Sequence, residues 1–249
     1  MMTEKKNGVV KTYYDIANIK LYFKHFIFNG RKEGENKYYE TGQLRAIFSF
    51  INDKKEGKYT TYHQTGQLFT ICNYKDGKIE GEYKEYRGNG QLSIIYNYKN
   101  NKLEGECKSY HENRQLCELY NYKNNKKEGK YTTYHETGQL FTICNYENNK
   151  KEGEYKDYYE NGQLWIICNY KNDKLEGDCK SYYENGQLRE ICNYKNEKLE
   201  GEYKSYHENG QFEIICNYKD GKLEGEYKSY YKNGQLREIY NYINGYKID

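Results

Sequence analysis

No proline occurs in this 249-residue sequence, and it holds only two valines, two methionines and one tryptophan. Without proline, the commonest interruption of strands and helices is gone, so long paired elements can run unbroken. Leucine, isoleucine, valine and phenylalanine total 42 residues, too few for the thick apolar core of an ordinary domain of this length. No run approaches the roughly 20 apolar residues that a membrane-spanning helix requires. The opening MMTEKKNGVVKTYYD has no apolar stretch of the secretory kind, so a cytoplasmic location (a host's cytoplasm, for a viral source) and free thiols are expected. An excess of charge is missing too. The net charge is +3; residues 1–34 carry seven basic and three acidic residues, and the remainder carries 33 and 34. A phosphate-tracking protein concentrates basic residues in a stripe, and the lack of one argues against nucleic acid as a partner.

Tyrosine takes the place of the missing apolar mass, with 34 copies. Its ring is apolar and its tip polar, so it suits a thin, half-wet core. The sequence is also strongly periodic. Gly-Gln-Leu recurs at Gly42, Gly66, Gly90, Gly138, Gly162, Gly186, Gly210 (with Phe212 in place of leucine) and Gly234, and Arg114 fills the skipped slot. Glu-Gly pairs mark the other end at Gly57, Gly81, Gly105, Gly129, Gly153, Gly177, Gly201 and Gly225, each step being 24 residues. Gly34 lies 23 residues before Gly57, so the first full repeat is one residue short. A fixed period of this size indicates a repeat architecture.

One unit, Gly201 to Glu224, reads GEYKSYHENGQFEIICNYKDGKLE. Asn209-Gly210 and Asp220-Gly221 both predict two-residue type I′ turns, whose central residues need positive φ. Asn100-Asn101, Asn124-Asn125, Asn172-Asp173 and Asn196-Glu197 take the second place in sister repeats. The segments between turns are rich in Tyr, Ile, Thr and Cys and lack a helical period, so they are strands. A turn at Asn209-Gly210 sets His207 opposite Phe212, Ser205 opposite Ile214, Tyr203 opposite Cys216 and Gly201 opposite Tyr218 on one face. The other face then carries Tyr206, Glu213, Lys204, Ile215, Glu202 and Asn217. Neither face is plainly dry, which predicts an all-β fold: an elongated single-layer antiparallel meander of tandem β-hairpins. The even period keeps residue types on their faces, so the short first repeat should hold a bulge or an irregular pairing. The glycine facing a tyrosine suggests a ring lying over bare backbone.

The strings Tyr183–Leu188 (YENGQL) and Asn193–Gly201 (NYKNEKLEG) resemble the MORN repeat, more closely its variant form. The resemblance covers about residues 35–249 as nine tandem units, the last truncated. Residues 1–34 form an N-terminal cap with a degenerate unit that ends at Asn29-Gly30-Arg31-Lys32-Glu33-Gly34. The chain departs from the standard signature, which has more glycine and an aromatic-glycine core. The resemblance implies a hairpin meander and roles in protein scaffolding, dimerisation or membrane-lipid association; some relatives are antitoxin-like.

Recurrent side chains invite chemical readings. Cys144, Cys168, Cys192 and Cys216 are spaced by 24, but in a hairpin meander equivalent strands lie roughly 9.6 Å apart. A disulfide needs Cα atoms within about 7 Å, so these are packing residues, as are Cys107 and Cys179 in a tyrosine slot. No C-x-x-C spacing suggests a metal. His63, His111, His135 and His207 share a slot with Tyr159, Tyr183 and Tyr231, which favours surface stacking over catalysis. The Glu-Gly glutamates, such as Glu104, Glu128 and Glu152, should balance neighbouring lysines. Phe23, Phe26, Phe28, Phe48 and Phe50, with Ile16, Ile19, Leu21 and Ile27, should form the cap. No catalytic, metal or cofactor residue emerges. The expectation is a non-enzymatic scaffold whose partner protein binds a ladder of Tyr62, Tyr86, Tyr110, Tyr134, Tyr158, Tyr182, Tyr206, Tyr230 and Trp165. The alternatives are a peripheral adaptor on anionic lipid and an antitoxin-like protein. The strand at Ile239–Ile243 should offer an open edge for self-association.

Overall fold

The computed structural model describes residues 7–16 and 19–248. These form 28 β-strands, all paired antiparallel in chain order as a meander of hairpins, and no helix. No helix among the described residues is long and apolar enough to cross a membrane. The chain divides into two compact units, residues 1–116 with 121–126, and residues 117–120 with 127–249.

Each full repeat has the same parts. In the second unit, strand Gly201–Tyr206 pairs with Phe212–Lys219, and the two-residue strand Lys222–Leu223 folds back on the latter. In the first unit, Gly81–Tyr86, Leu92–Lys99 and Lys102–Leu103 do the same. The expected pairs Ser205–Ile214, Tyr203–Cys216 and Gly201–Tyr218 all form.

The two turns differ from each other. Asp220 and Gly221 have φ of 50° and 78°, and Asn196 and Glu197 have 51° and 66°, so the second turn is the mirror-image type predicted. At the hairpin tip only Gly210 has positive φ, at 82°. The loop closes through Gly210 N–H on the His207 carbonyl (2.8 Å) and His207 N–H on the Gln211 carbonyl (2.9 Å). The register slips between Ser205 and Tyr206, so Tyr206 faces Phe212 and His207 does not. Glu213 becomes a bulge residue, and its carboxylate accepts a hydrogen bond from Ser205 Oγ at 3.2 Å. The bulge therefore turns slot 213 toward the Ser205 side and Phe212 away from it.

The short first repeat explains itself in these terms. There Glu40 pairs with Gln43 around Thr41 and Gly42, whose φ values are 49° and 83°. The missing residue comes out of the tip, leaving the two-residue turn that the full repeats lack. A bulge is present in this repeat, between Tyr38 and Tyr39, but it is common to the full repeats as well.

The Glu-Gly glycines pair with tyrosines as expected, Gly153 with Tyr170 for example. Their reason is conformational, and the ring-over-glycine expectation is corrected. Gly153 has φ of 78°, and a Cβ there would meet no atom within 4 Å. Gly153→Ala is therefore expected to destabilise by about 1–2 kcal/mol through backbone strain alone, with Gly153→Asn milder because asparagine tolerates this region. Denaturant titration of the three proteins checks this, and a neutral alanine variant contradicts it.

The two faces are unequal, contrary to the expectation. Cys72, Cys107, Cys144, Cys168, Cys179, Cys192 and Cys216 are all at most 7% exposed and are among the most buried residues. They lie on the face that also carries Ser205, Asp157, Thr70 and Thr142, each buried. Around Cys168, Cys179 and Cys192 pack Tyr155, Tyr170, Leu175, Tyr194, Leu199 and Tyr203. Rows of small buried groups flanked by tyrosines thus make the core of a single-layer sheet. At the N-terminal end, Phe48 meets Phe50 edge-on at 5.6 Å and stacks on Tyr59 at 5.7 Å. Phe26 and Phe28 are 37% and 50% exposed. The expected cap side chains Ile16, Ile19, Leu21 and Phe23 lie outside the described residues.

Candidate functional site

Most recurrent polar side chains are engaged in joining one hairpin to the next. Glu80 Oε2 accepts the N–H of Asn100 at 2.8 Å, and Glu104, Glu152, Glu200 and Glu224 accept those of Asn124, Asn172, Asp220 and Asn244 at the same distance. The Glu-Gly glutamates are thus turn caps for the next repeat, which corrects the expectation that they balance lysines. The lysines instead pair within their own strand, Lys84 with Glu82 and Lys156 with Glu154, both at 2.5 Å. Asn125 and Asn149 accept from the N–H of Leu103 (2.6 Å) and Lys127 (2.5 Å), completing the other side of the turn.

The histidine slot is a second latch. His63 Nε2 bonds to the Tyr86 carbonyl at 2.7 Å, and His135 and His207 reach Tyr158 and Tyr230 at 3.0 Å. A carbonyl only accepts, so Nε2 carries the proton. Tyr159 and Tyr183 donate their hydroxyls to the carbonyls of Tyr182 and Tyr206 at 2.9 and 2.7 Å. This shared donor explains why histidine and tyrosine exchange. Rings also meet at this slot: His63 packs at a tilt against Phe69 and His135 against Phe141, both at 4.7 Å between ring centres.

The cysteine face holds two further arrangements. Lys127 Nζ lies 4.5 to 5.3 Å from the ring centres of Tyr120, Tyr131 and Tyr146, and Lys55 is similarly placed over Phe48, Tyr59 and Tyr74. Burial pushes the Lys55 ammonium pKa down. These are cation–π contacts, and the lysine slot holds Leu or Ile in other repeats. Cys179 also sits directly opposite Cys192, and the neighbouring register, Ile166 to Ser181 and Ile167 to Lys180, brings Cys168 to its other side. The spacing of 24 concealed this adjacency because Cys179 occupies a different slot. The interaction of the Cys168 and Cys179 thiols lowers the pKa of the first and raises that of the second to about 12. No group of three or more His, Cys, Asp or Glu among the described residues is placed to hold a metal.

None of the eight cysteines is in a disulfide, and Cys117 is the one that is not buried. Burial pushes Cys72 and Cys216 up to about 11, and buried, protonated thiols react slowly. A chromogenic thiol reagent at near-neutral pH is expected to modify Cys117 first and the other seven only on unfolding. Rapid reaction of several thiols in the native chain would contradict the burial.

Of the predicted ladder, Tyr62, Tyr86, Tyr110, Tyr134, Tyr158, Tyr182, Tyr206 and Tyr230 are all half-buried near the hairpin tips. Tyr158 pairs with Leu164 and Tyr206 with Phe212. Trp165 is the bulge residue of its repeat and is 38% exposed. It packs at a tilt against Tyr159, with ring centres 5.9 Å apart. A shallow groove of about 290 Å³ brings Trp165 and Tyr158 together with His135, Phe141, Tyr159, Glu160 and Glu184. The other seven ladder tyrosines lie outside this groove. Sequence reasoning missed Phe141, Tyr159 and the two glutamates, because only the bulge turns slots 141 and 165 toward slots 135 and 159.

The model for the MORN repeat variant matches eight consecutive segments, residues 55–76, 79–100, 103–124, 127–148, 151–172, 175–196, 199–220 and 223–244. Each segment begins two residues before a Glu-Gly glycine, at the slot that holds Lys, Leu or Ile. No curated protein matches the chain.

Proposed function

Because the chain belongs to the MORN repeat variant family, we propose that it is a non-enzymatic scaffold that binds another protein along the aromatic tips of its hairpins. The observation that carries this reading is the division of labour among side chains. Recurrent Glu, Asn and His residues are engaged in turn caps and latches, whereas large rings at the bulge slot stay accessible. Phe69 and Trp165 are 41% and 38% exposed there, and Phe212, in the neighbouring tip slot that pairs with Tyr206, is 38% exposed. Half-exposed aromatic residues with limited rotamer freedom are the usual anchors of protein interfaces. Anionic lipid is the weaker reading, because lysines on the opposite face, such as Lys84, Lys156 and Lys204, are paired with a glutamate two residues earlier.

The test compares the intact chain with a Phe141→Ser, Tyr158→Ser, Trp165→Ser variant. Partners are captured from the native host and identified by mass spectrometry, and the affinity of each purified partner is then measured. Loss of at least roughly tenfold in affinity is expected, since interface anchors of this kind contribute more than 1 kcal/mol each. Equal affinity of both proteins for every partner overturns the reading. So does binding to anionic vesicles alone, with no protein partner.

A further inference from the structure

The groove at Trp165 has the composition of a cation site. Its floor is aromatic: His135 against Phe141 at 4.7 Å and Tyr159 against Trp165 at 5.9 Å. Glu160 and Glu184 complete its lining. The Glu160 side chain is 72% exposed, and His135 Nδ1 lies 4.0 Å from it.

Two other repeats show what the same slots accept. Where this groove has Tyr159 and Trp165, the next hairpin has Tyr183 and Arg189, and the guanidinium carbon of Arg189 lies 5.9 Å from the Tyr183 ring centre. Arg237 sits over Tyr231 in the same way, at 5.8 Å. In those repeats the chain supplies its own guanidinium to the platform. At Tyr159 and His135 the bulge slot instead holds a second ring, Trp165 or Phe141, so more aromatic surface is presented and the slot contributes no cation. Two glutamates in the lining of such a surface disfavour phosphate and favour positive charge.

We infer that this groove binds an arginine side chain of a partner protein, its guanidinium stacked on Trp165 and Tyr159 and hydrogen-bonded to Glu160 or Glu184. Arginine fits better than lysine because its planar cation stacks on rings and engages carboxylates with two parallel donors. The inference rests on the reading of the hairpin tips as a protein-binding surface and names the chemistry of the group received.

Trp165 is the sole tryptophan of the chain, so its fluorescence reports this groove alone. The intact protein is titrated with a short arginine-rich peptide amide, with its lysine counterpart, and with the neutral isostere in which citrulline replaces arginine. The expected result is a saturable change in Trp165 emission with the arginine peptide, a weaker one with lysine, and none with citrulline. Glu160→Gln with Glu184→Gln should weaken arginine binding roughly tenfold while leaving the thermal melt unchanged, since both residues are exposed. Equal binding of citrulline and arginine overturns the inference, as does unchanged affinity in the double variant. The two readings fail separately. A protein partner that needs Trp165 but ignores the glutamine variant leaves the scaffold standing and removes the arginine site. Arginine binding without any partner that depends on Trp165 does the reverse.

Discussion

Raising the pH above about 10 is expected to unfold the protein cooperatively, well before backbone chemistry intervenes. Burial pushes Tyr83, Tyr96 and Tyr218 up to about 12. Tyr131 and Tyr155 are raised further, first by burial and then by hydrogen bonds to Glu118 and Asp157. A phenol whose folded pKa is raised holds its proton more tightly in the native state. Its contribution is complete below the unfolded pKa of about 10 and is lost as pH rises through the folded value. Because the groups recur in successive repeats, the losses accumulate over the window from about 10 to about 12. Tyrosinate absorbance and far-ultraviolet circular dichroism, followed together, should change in one steep transition. Titration of all tyrosines near pH 10 with the strands intact would contradict the buried rows.

Replacing Asp157 by alanine is expected to be the most damaging single polar substitution. The carboxylate is 8% exposed. Its Oδ1 accepts from Thr142 Oγ1 at 2.6 Å and its Oδ2 from the Tyr155 hydroxyl at 2.9 Å. Alanine leaves both hydroxyls without that acceptor beneath the tyrosine layer, at about 1–3 kcal/mol for each group so stranded. The removal of a buried charge offsets part of this, which leaves about 2–4 kcal/mol of net destabilisation. Asp157→Ser should cost less, because the equivalent slots hold Ser181, Ser205 and Ser229. Each repeat of such an array contacts only its neighbours, so the effect is felt locally and hydrogen exchange over Gly153–Tyr182 is the sharper measurement, with thermal melting beside it. An alanine variant as protected as the parent would show that the network contributes nothing.

The legibility of this protein varies by residue. Asp220-Gly221 was readable because a two-residue turn with positive φ is a local demand. Asn209-Gly210 carries the same signal and was misleading, since the neighbouring register slips by one at Ser205. The Glu-Gly glutamates looked like surface charges, because the N–H they cap lies 20 residues away. Cys179 and Cys192 lie only 13 residues apart in sequence, yet their pairing was hidden behind the more conspicuous spacing of 24. The groove at Trp165 depends on a bulge that carries no composition signal of its own.

The sequence by itself determined the period, the strands, the antiparallel hairpin class and the second turn of each repeat. All of these follow from side-chain alternation and φ preferences within a few residues. Only the tertiary structure decided which face is dry, what the recurrent Glu, Asn and His side chains hold, and where Trp165 points. Those outcomes are set by how one hairpin's register meets the next, through hydrogen bonds between residues 20 to 23 positions apart. No local propensity specifies them.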